Sequence, residues 1–330
     1  MVKSLFISLL LIAQISFAQK KKSTNELYRT QLKTAEAYYR HNQIGEAKSI
    51  LLSVPENIRT FEWQLLHTRL DRSIQTLTAH TRPVVGIAVS KDGKLLASGG
   101  ADSSIIIWDA STYQMIRRIA AHKGQVTTLD FSPDSKTLIS GSTDKSLRLW
   151  NIQKGVEIRN YNTEFKQGIY QAKFSNDGTM LGVVSWEFVK SVIGFAKVLE
   201  VATGRLIQRF DTDNHPASAI RFSSDNKKIY TGTWGFQVKQ HDIAGGQTDW
   251  NYDMREFDYY TAVQSLDVSP DNKYVAQSGK DNKIRILSAT DGKIIHDIET
   301  WEGHKEWVNG IRFSPDGKRF AKVSDDGLLK

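Results

Sequence analysis

Short stretches in which apolar and polar residues alternate follow one another along most of the chain, with turn residues between them. In the first such group, Val84 to Val89 precedes a Lys91-Asp92-Gly93 turn, and Leu95 to Ser98 and Ile105 to Trp108 follow it. Alternation with period two predicts a β-strand that is buried on one face. From about residue 73 onward, the pattern therefore predicts many short strands joined by tight turns.

The turns recur at a nearly constant interval. Their aspartates are 42, 43, 48, 46 and 45 residues apart, in the pairs Asp92-Gly93, Pro133-Asp134, Asp177-Gly178, Asp225-Asn226, Pro270-Asp271 and Asp316-Gly317. Short strands in units of this length are typical of a β-propeller. This repeat favours a binding function over a catalytic one.

Two units share a polar set at the same spacing. The members are His80, Ser98, Asp102 and Trp108 in the first unit, and His122, Ser140, Asp144 and Trp150 in the second. Histidine precedes aspartate by 22 residues in both, and aspartate precedes tryptophan by 6. Serine, histidine and aspartate can form a catalytic triad, but a triad is needed only once, and this set repeats. A buried aspartate with such partners is a stable hydrogen-bonded group, so we interpret the set as structural.

These units resemble WD40 repeats, and Trp108-Asp109 keeps the dipeptide that names the family. The resemblance covers about residues 73–330 and implies a mostly β fold, a WD40-type β-propeller preceded by a small α-helical segment. It also implies that the polar set ties the loop outside a blade to its inner strands. We predict six repeats, at residues 73–115, 116–158, 159–206, 207–250, 251–296 and a partial 297–330.

The later units depart from this pattern. Units three to five lack the histidine and the tryptophan at the expected positions, and unit three has an insertion around Val189 to Gly194. We expect strand pairing and apolar packing, rather than a polar network, to hold these blades. The sixth unit again matches the first two, because His304 and Asp326 are 22 residues apart.

The sixth unit is also short. Its spacing predicts a tryptophan two residues beyond Lys330. We expect the chain to be a fragment of a longer, seven-bladed protein. The alternative is a six-unit ring in which Leu328 to Lys330 forms a stunted strand and residues 73–78 close the last blade.

The N-terminal part differs from the repeats. Lys3, the apolar run Leu5 to Ile15 and Ser16-Phe17-Ala18 are typical of a secretion signal over residues 1–18. Residues 19–72 carry apolar residues at helical spacing. They resemble one tetratricopeptide-like hairpin followed by a linker helix that includes Phe61 to Leu66.

The composition limits the cellular location, the partners and the chemical activities that can be expected of the protein. The net charge of +8 is scattered, apart from Lys20-Lys21-Lys22, so no nucleic-acid partner is expected. The absence of cysteine excludes disulfides, thiol catalysis and a lipid-modified cysteine. We expect an exported protein of the bacterial periplasm or cell envelope, with no membrane span once the signal is cleaved. No motif indicates a metal, a cofactor or an enzymatic activity.

The remaining prediction is a protein-binding surface. Loops before the innermost strands face one end of a propeller, and here they carry Arg82, Lys123, Gln125, Tyr259, Tyr260 and Trp307. Aromatic and arginine side chains dominate the energetics of protein interfaces.

We predict a non-enzymatic scaffold for proteins or peptides, with a docking propeller of a longer peptidase or signalling enzyme as the alternative. A third, weaker hypothesis is a propeller enzyme with an active site in its central channel. Trp186 and Trp234 are expected near the same end, with packing between blades favoured for Trp234.

Overall fold

The computed structural model describes residues 26–41, 43–70, 76–161, 165–188, 192–212, 215–254, 262–281, 283–299 and 307–324. These residues form two compact units, which divide between Thr76 and Leu77. The first unit is helical and the second consists of antiparallel sheets.

The helical unit has its own apolar core. Its helices are α1 (residues 26–40), α2 (Ile44–Leu52), a short 3₁₀ turn (Glu56–Ile58) and α3 (Phe61–Leu70). The fully buried Ala35 and Ala47 belong to the same core as Trp63. The Trp63 indole N–H donates to the Leu51 carbonyl oxygen at 2.8 Å, which satisfies a buried polar group. Among the described residues, no helix is long and apolar enough to cross a bilayer.

The second unit contains 22 strands within its described ranges. They are β1 (Val84–Val89), β2 (Leu95–Gly100), β3 (Ser104–Asp109), β4 (Met115–Ala120), β5 (Val126–Phe131), β6 (Thr137–Ser142), β7 (Leu147–Asn151), β8 (Val156–Tyr161), β9 (Gln171–Phe174), β10 (Met180–Phe188), β11 (Val192–Glu200), β12 (Leu206–Asp211), β13 (Ala217–Phe222), β14 (Lys228–Thr233), β15 (Gln237–Asp242), β16 (Thr248–Asp253), β17 (Val263–Val268), β18 (Tyr274–Gly279), β19 (Lys283–Ser288), β20 (Ile294–Glu299), β21 (Val308–Phe313) and β22 (Phe320–Ser324).

The strands form six sheets in chain order. Each of the first five has four strands in a meander, and the sixth has two strands, β21 and β22, among the described residues. The first strand of each sheet is the innermost, and these strands pack in the order β1, β5, β9, β13, β17 and β21. This arrangement of repeated four-stranded sheets is a β-propeller and confirms the predicted fold class.

The repeated turn has the same geometry in all six sheets. A serine two residues before the turn aspartate donates its hydroxyl to that carboxylate, at 2.6 Å in the Ser90–Asp92 pair. The next residue has a positive φ, between 58° and 74°, where glycine or asparagine is least strained. Ser135 takes this position in the second sheet, with φ at 60°. The turn therefore accounts for the regular period of the sequence.

Apolar side chains fill the spaces between neighbouring sheets. Between the first and second sheets, Ile105 and Ile107 belong to one buried cluster with Leu129, Phe131 and Trp150. Similar clusters lie between each later pair of sheets. The alternation of each strand places one set of side chains against each neighbour, so the unit is held together sheet by sheet.

The third sheet has a longer hairpin than the others. Strands β10 and β11 have nine residues each, and their pairing continues as far as Phe188 opposite Val192. The predicted insertion therefore lengthens this hairpin. The sheets are also offset from the predicted repeats, because β4 begins at Met115, the last residue of the first predicted unit. The repeat boundaries themselves stay a prediction.

Candidate protein-interaction surface

The first sheet brings its polar set together. His80 Nδ1 lies 3.0 Å from Asp102 Oδ1, and His80 Nε2 lies 2.9 Å from Ser98 Oγ. The Trp108 indole N–H donates to Ser98 Oγ at 2.8 Å. The Thr81 backbone N–H also donates to the Asp102 carboxylate, at 3.0 Å. This last bond joins the loop before β1 to the turn after β2.

The second sheet repeats this geometry. His122 Nδ1 lies 3.1 Å from Asp144 Oδ2, and His122 Nε2 lies 2.7 Å from Ser140 Oγ. The Trp150 indole donates to Ser140 Oγ at 2.8 Å, and the Lys123 N–H donates to Asp144 at 2.8 Å. In the third predicted set, His304 and Asp326 lie outside the described residues.

The hydrogen bonds assign the protons. The ionised Asp144 carboxylate can only accept, so His122 carries its proton on Nδ1 and donates it to Asp144. His122 Nε2 then accepts the proton of the Ser140 hydroxyl, whose oxygen accepts the Trp150 indole N–H. Ser140 has no solvent exposure and its oxygen is already occupied, so no substrate carbonyl can approach it. The arrangement has the composition of a triad, and its hydrogen bonds join the loop before β5 to the turn after β6.

Burial and hydrogen bonding shift the titration of this group. Burial raises the pKa of Asp144, but the hydrogen bonds from the Ser146 hydroxyl and from the Lys123 and Ser146 N–H groups outweigh it and lower the pKa to about 2. Burial lowers the pKa of His122 to about 4, although Asp144 opposes this shift. The same balance, with bonds from Thr81 N–H and Ser104, holds the pKa of Asp102 well below its usual range. The carboxylates are therefore ionised near neutral pH.

Polar connections also exist in the fourth sheet, so the expectation of apolar packing alone is wrong there. The strand pairing places Thr231 at the position of Ser140, and His241 at that of Trp150. Thr231 Oγ1 lies 2.9 Å from His241 Nε2, with both residues fully buried. The imidazole replaces the indole as the hydrogen-bonding ring.

Ion pairs replace the network in the third and fifth sheets, which corrects the same expectation. In the third sheet, Glu187 lies 2.8 Å from Arg209 on β12. Arg209 also lies over the Phe195 ring, at 4.5 Å from its centroid. In the fifth sheet, Asp281 and Arg285 form a buried ion pair with an N···O distance of 2.6 Å. The carboxylate position is thus retained while its partners differ.

The structure describes four of the six predicted binding residues, and these four lie before innermost strands, at one end of the sheets. Arg82 and Lys123 are exposed, and Gln125 is partly exposed in the loop before β5. Trp307 precedes β21 and is 43% exposed, and the Lys280 ammonium lies 4.2 Å from the centroid of its ring. Tyr259 and Tyr260 lie outside the described residues.

A second aromatic group lies at the same end. Trp186 Nε1–H donates to the Tyr170 hydroxyl at 3.1 Å, and the Tyr170 ring meets the Trp234 ring edge-on at 5.1 Å. Trp234 thus contacts the neighbouring sheet, in the way the packing interpretation expects, and its side chain is also 44% exposed. Tyr170 was not among the predicted residues, and its only signal in the sequence is its place directly before β9.

Together the two groups give this end an aromatic and basic surface. Trp234 lies in the turn between β14 and β15, whereas Trp307 precedes β21 and contacts Lys280 in the turn between β18 and β19. Within the described ranges, no group of three His, Asp or Glu side chains could hold a metal ion. The surface offers stacking, apolar and cationic contacts, which suit recognition of another macromolecule.

The fold and its repeated turn define a WD40-repeat β-propeller. Residues 62–330 match the family model described as the IFT122 first β-propeller. The chain therefore belongs to this family of propellers.

Relatives in curated proteins match parts of the chain. The serine-threonine kinase receptor-associated protein of Bos taurus is 29% identical over 23% of this chain and 21% of its own length. Protein HIR1 of Phaeosphaeria nodorum is 30% identical over 34% of this chain and 10% of its own length. The WD repeat-containing protein SL1-17 of Schistosoma mansoni is 26% identical, over 40% of this chain and 41% of its own. The match spans less than half the length of each relative.

A solved structure has the same fold. A chain in the structure titled "Crystal Structure of Mitotic Checkpoint Complex" superposes with a TM-score of 0.66 at 20% identity, covering 77% of this chain and 75% of that chain. This likeness concerns the fold, which the two chains share despite their low identity.

Proposed function

We propose that this protein is a non-enzymatic scaffold that binds a partner protein or peptide at the end of the propeller carrying Trp307, Trp234 and Arg82. The carrying observation is that the two indoles are each more than two-fifths exposed. Tryptophan and arginine are enriched among residues that dominate binding energy. The buried serine hydroxyls support the absence of enzymatic activity.

The partner's chemistry follows from the side chains of this surface. Lys280 places positive charge over the Trp307 ring, and Arg82 and Lys123 add exposed positive charge in loops before β1 and β5. A partner segment with acidic and apolar or aromatic residues would match both features. We expect no nucleic acid as the partner.

The test is affinity capture from a cell-envelope fraction. Wild-type protein is compared with Trp307→Ala/Arg82→Ala and with a control, Met115→Ala/Ile116→Ala, altered on the exposed outer strand β4. We expect one specific protein with the wild type and the control, and at least tenfold less with the first variant. Equal recovery by all three proteins would contradict the proposal.

The proposed location rests on the N-terminal sequence. The charged start, the short apolar run and the small residues before Gln19 support export through a cleaved signal over residues 1–18. In this proposal residues 19–72 form a tetratricopeptide-like hairpin and linker, and residues 73–330 the propeller. Mass spectrometry of the native protein tests this. A mature chain starting at Gln19 supports export, whereas a chain that retains Met1 to Ala18 contradicts it.

A further inference from the structure

One turn of the fourth sheet holds an exposed indole on a well-anchored backbone. Trp234 lies in the turn between β14 and β15, and its backbone N–H donates to the Pro216 carbonyl oxygen at 3.0 Å. The Thr233 hydroxyl oxygen accepts the N–H groups of Gly235 and Gln237, each at 3.2 Å. The turn is therefore fixed by hydrogen bonds, although its tryptophan side chain is 44% exposed.

The two residues after Trp234 constrain the same turn further. A Cβ atom at Gly235 would lie 2.0 Å from the His215 ring, so a larger residue does not fit there. Phe236 has a φ of 67°, a left-handed conformation that is unfavourable for a bulky side chain. The equivalent turns of the first two sheets have the polar residues Ser103 and Lys145 in this conformation. Backbone conformations that are unfavourable for their residue are concentrated at functional sites.

Tyr170 of the third sheet completes an aromatic surface with Trp234. Their ring centroids are 5.1 Å apart and their planes meet at 62°, so the two rings stand at a steep angle to each other. The Trp186 indole N–H donates to the Tyr170 hydroxyl at 3.1 Å and orients the Tyr170 ring. Within the described part of the chain, the Trp234 indole N–H has no hydrogen-bond partner, so it can donate to a ligand.

The charged side chains at this end of the third sheet compensate one another. Lys166 lies 3.3 Å from Glu187, and Arg209 lies 2.8 Å from Glu187 and 2.9 Å from Asp211. Two cations thus pair with two carboxylates. The surface formed by the rings therefore suits an uncharged segment of a partner, in contrast to the Trp307 ring, over which a lysine lies.

We propose that Trp234 and Tyr170 bind a proline-rich segment of the partner in the polyproline II conformation. A pyrrolidine ring packs against the two aromatic rings, and the Trp234 indole N–H donates to a backbone carbonyl oxygen of the segment. Polyproline II has no internal hydrogen bonds, so its carbonyl oxygens are free to accept, and it docks on surfaces lined by aromatic residues. Its conformation exists before binding, which lowers the entropic cost. This inference rests on the proposed function and specifies the chemistry of the partner.

The test is calorimetric titration of the full chain with decaproline and, separately, with a glycine-serine peptide of equal length. Decaproline adopts polyproline II in water, whereas the glycine-serine peptide is a flexible coil. We expect saturable binding of decaproline and none of the glycine-serine peptide. Trp234→Ala should weaken decaproline binding about tenfold or more. Trp234→Phe keeps a ring but lacks the N–H, so it should weaken binding about fivefold.

The control variant removes an exposed aromatic ring elsewhere. Tyr274 is 38% exposed and is the first residue of β18, at the opposite end of the sheets. Tyr274→Ala should bind decaproline as tightly as the wild type does. Equal weakening by Tyr274→Ala and Trp234→Ala would contradict a site at Trp234.

Failure of this inference can be separated from failure of the proposed function. Absence of saturable decaproline binding, or unchanged affinity in Trp234→Ala, overturns the inference, and a partner captured from the envelope fraction then still supports the proposed function. Decaproline binding that is lost in Trp234→Ala supports the inference even where no partner is captured, a result that counts against the proposed function alone. Cellohexaose is titrated as an uncharged glycan, and its binding in place of decaproline would overturn the inference in favour of a carbohydrate.

Discussion

The second and fifth sheets place a buried aspartate at the same position and stabilise it in different ways. Asp144 accepts bonds from a neutral histidine, a serine and the Lys123 N–H. Asp281 lies beside the Arg285 guanidinium instead. In these two sheets the same position holds a carboxylate, whereas the partner that compensates its burial is neutral in one and charged in the other.

The largest expected effect comes from breaking the ion pair of the fifth sheet. Arg285→Met leaves Asp281 buried without its cation, so the free energy of unfolding should fall by about 3–5 kcal/mol. The double variant Asp281→Leu/Arg285→Met removes both charges and should be clearly more stable than the single one. Chemical denaturation followed by tryptophan fluorescence measures both. A double variant as unstable as the single one would contradict a role based on uncompensated charge.

Removing the charge of the equivalent aspartate in the second sheet should destabilise the protein somewhat less. Asp144→Asn replaces the carboxylate, so the donors around it meet an NH₂ group or an uncharged oxygen. We expect the free energy of unfolding to fall by about 3 kcal/mol. The control Asp291→Asn lies in an exposed turn, where the loss should be clearly smaller. Equal losses in the two variants would refute the assignment of Asp144 to a buried network.

The two sheets should also differ in their response to pH. The pKa of His122 is lowered to about 4, so below its ordinary value of about 6.5 the unfolded chain binds a proton that the folded chain does not. Stability should be full above pH 6.5 and decrease as the pH falls toward 4, by at most about 1.4 kcal/mol per pH unit. His122→Gln should remove this part of the slope, whereas Arg285→Met should retain it. A His122→Gln profile parallel to that of the wild type is the contrary result.

A smaller effect is expected from the fourth sheet. Thr231→Val keeps the shape of the side chain but removes its hydrogen bond to the buried His241, at a cost of about 1–2 kcal/mol. Thr248→Val removes the other bond of the same imidazole at an exposed residue, and its cost should be below about 1 kcal/mol. A Thr231→Val variant that is no less stable than Thr248→Val would contradict a contribution of Thr231 to stability like that of Ser140.

The sequence predicted the features that depend on local chemistry and on period. Each turn needs a serine, an aspartate and a residue with positive φ, so the turns were visible as a repeated motif. The 22-residue spacing placed His80 with Asp102 and His122 with Asp144 because both units keep the same residue types. The Thr231–His241 hydrogen bond was not predicted, because threonine replaces serine and histidine replaces tryptophan. Only the strand register shows that these residues are equivalent to Ser140 and Trp150.

The surface features that were missed depend on contacts between sheets. Tyr170 and Trp234 meet across two sheets, and so do Lys280 and Trp307. Two ion pairs between innermost strands, Lys173 with Asp130 and Arg221 with Asp267, likewise join residues 43 and 46 positions apart. Such contacts follow from the packing of one sheet on the next, which a single-strand pattern does not specify.

The most direct test of the scaffold function is site-specific photocrosslinking in cells. A benzoylphenylalanine is placed at position 307, at position 234, or at the exposed control position 116 on β4. The account predicts that positions 307 and 234 crosslink to the same protein and that position 116 does not. A partner captured only from position 116, or captured equally from all three positions, would contradict binding at this end of the propeller.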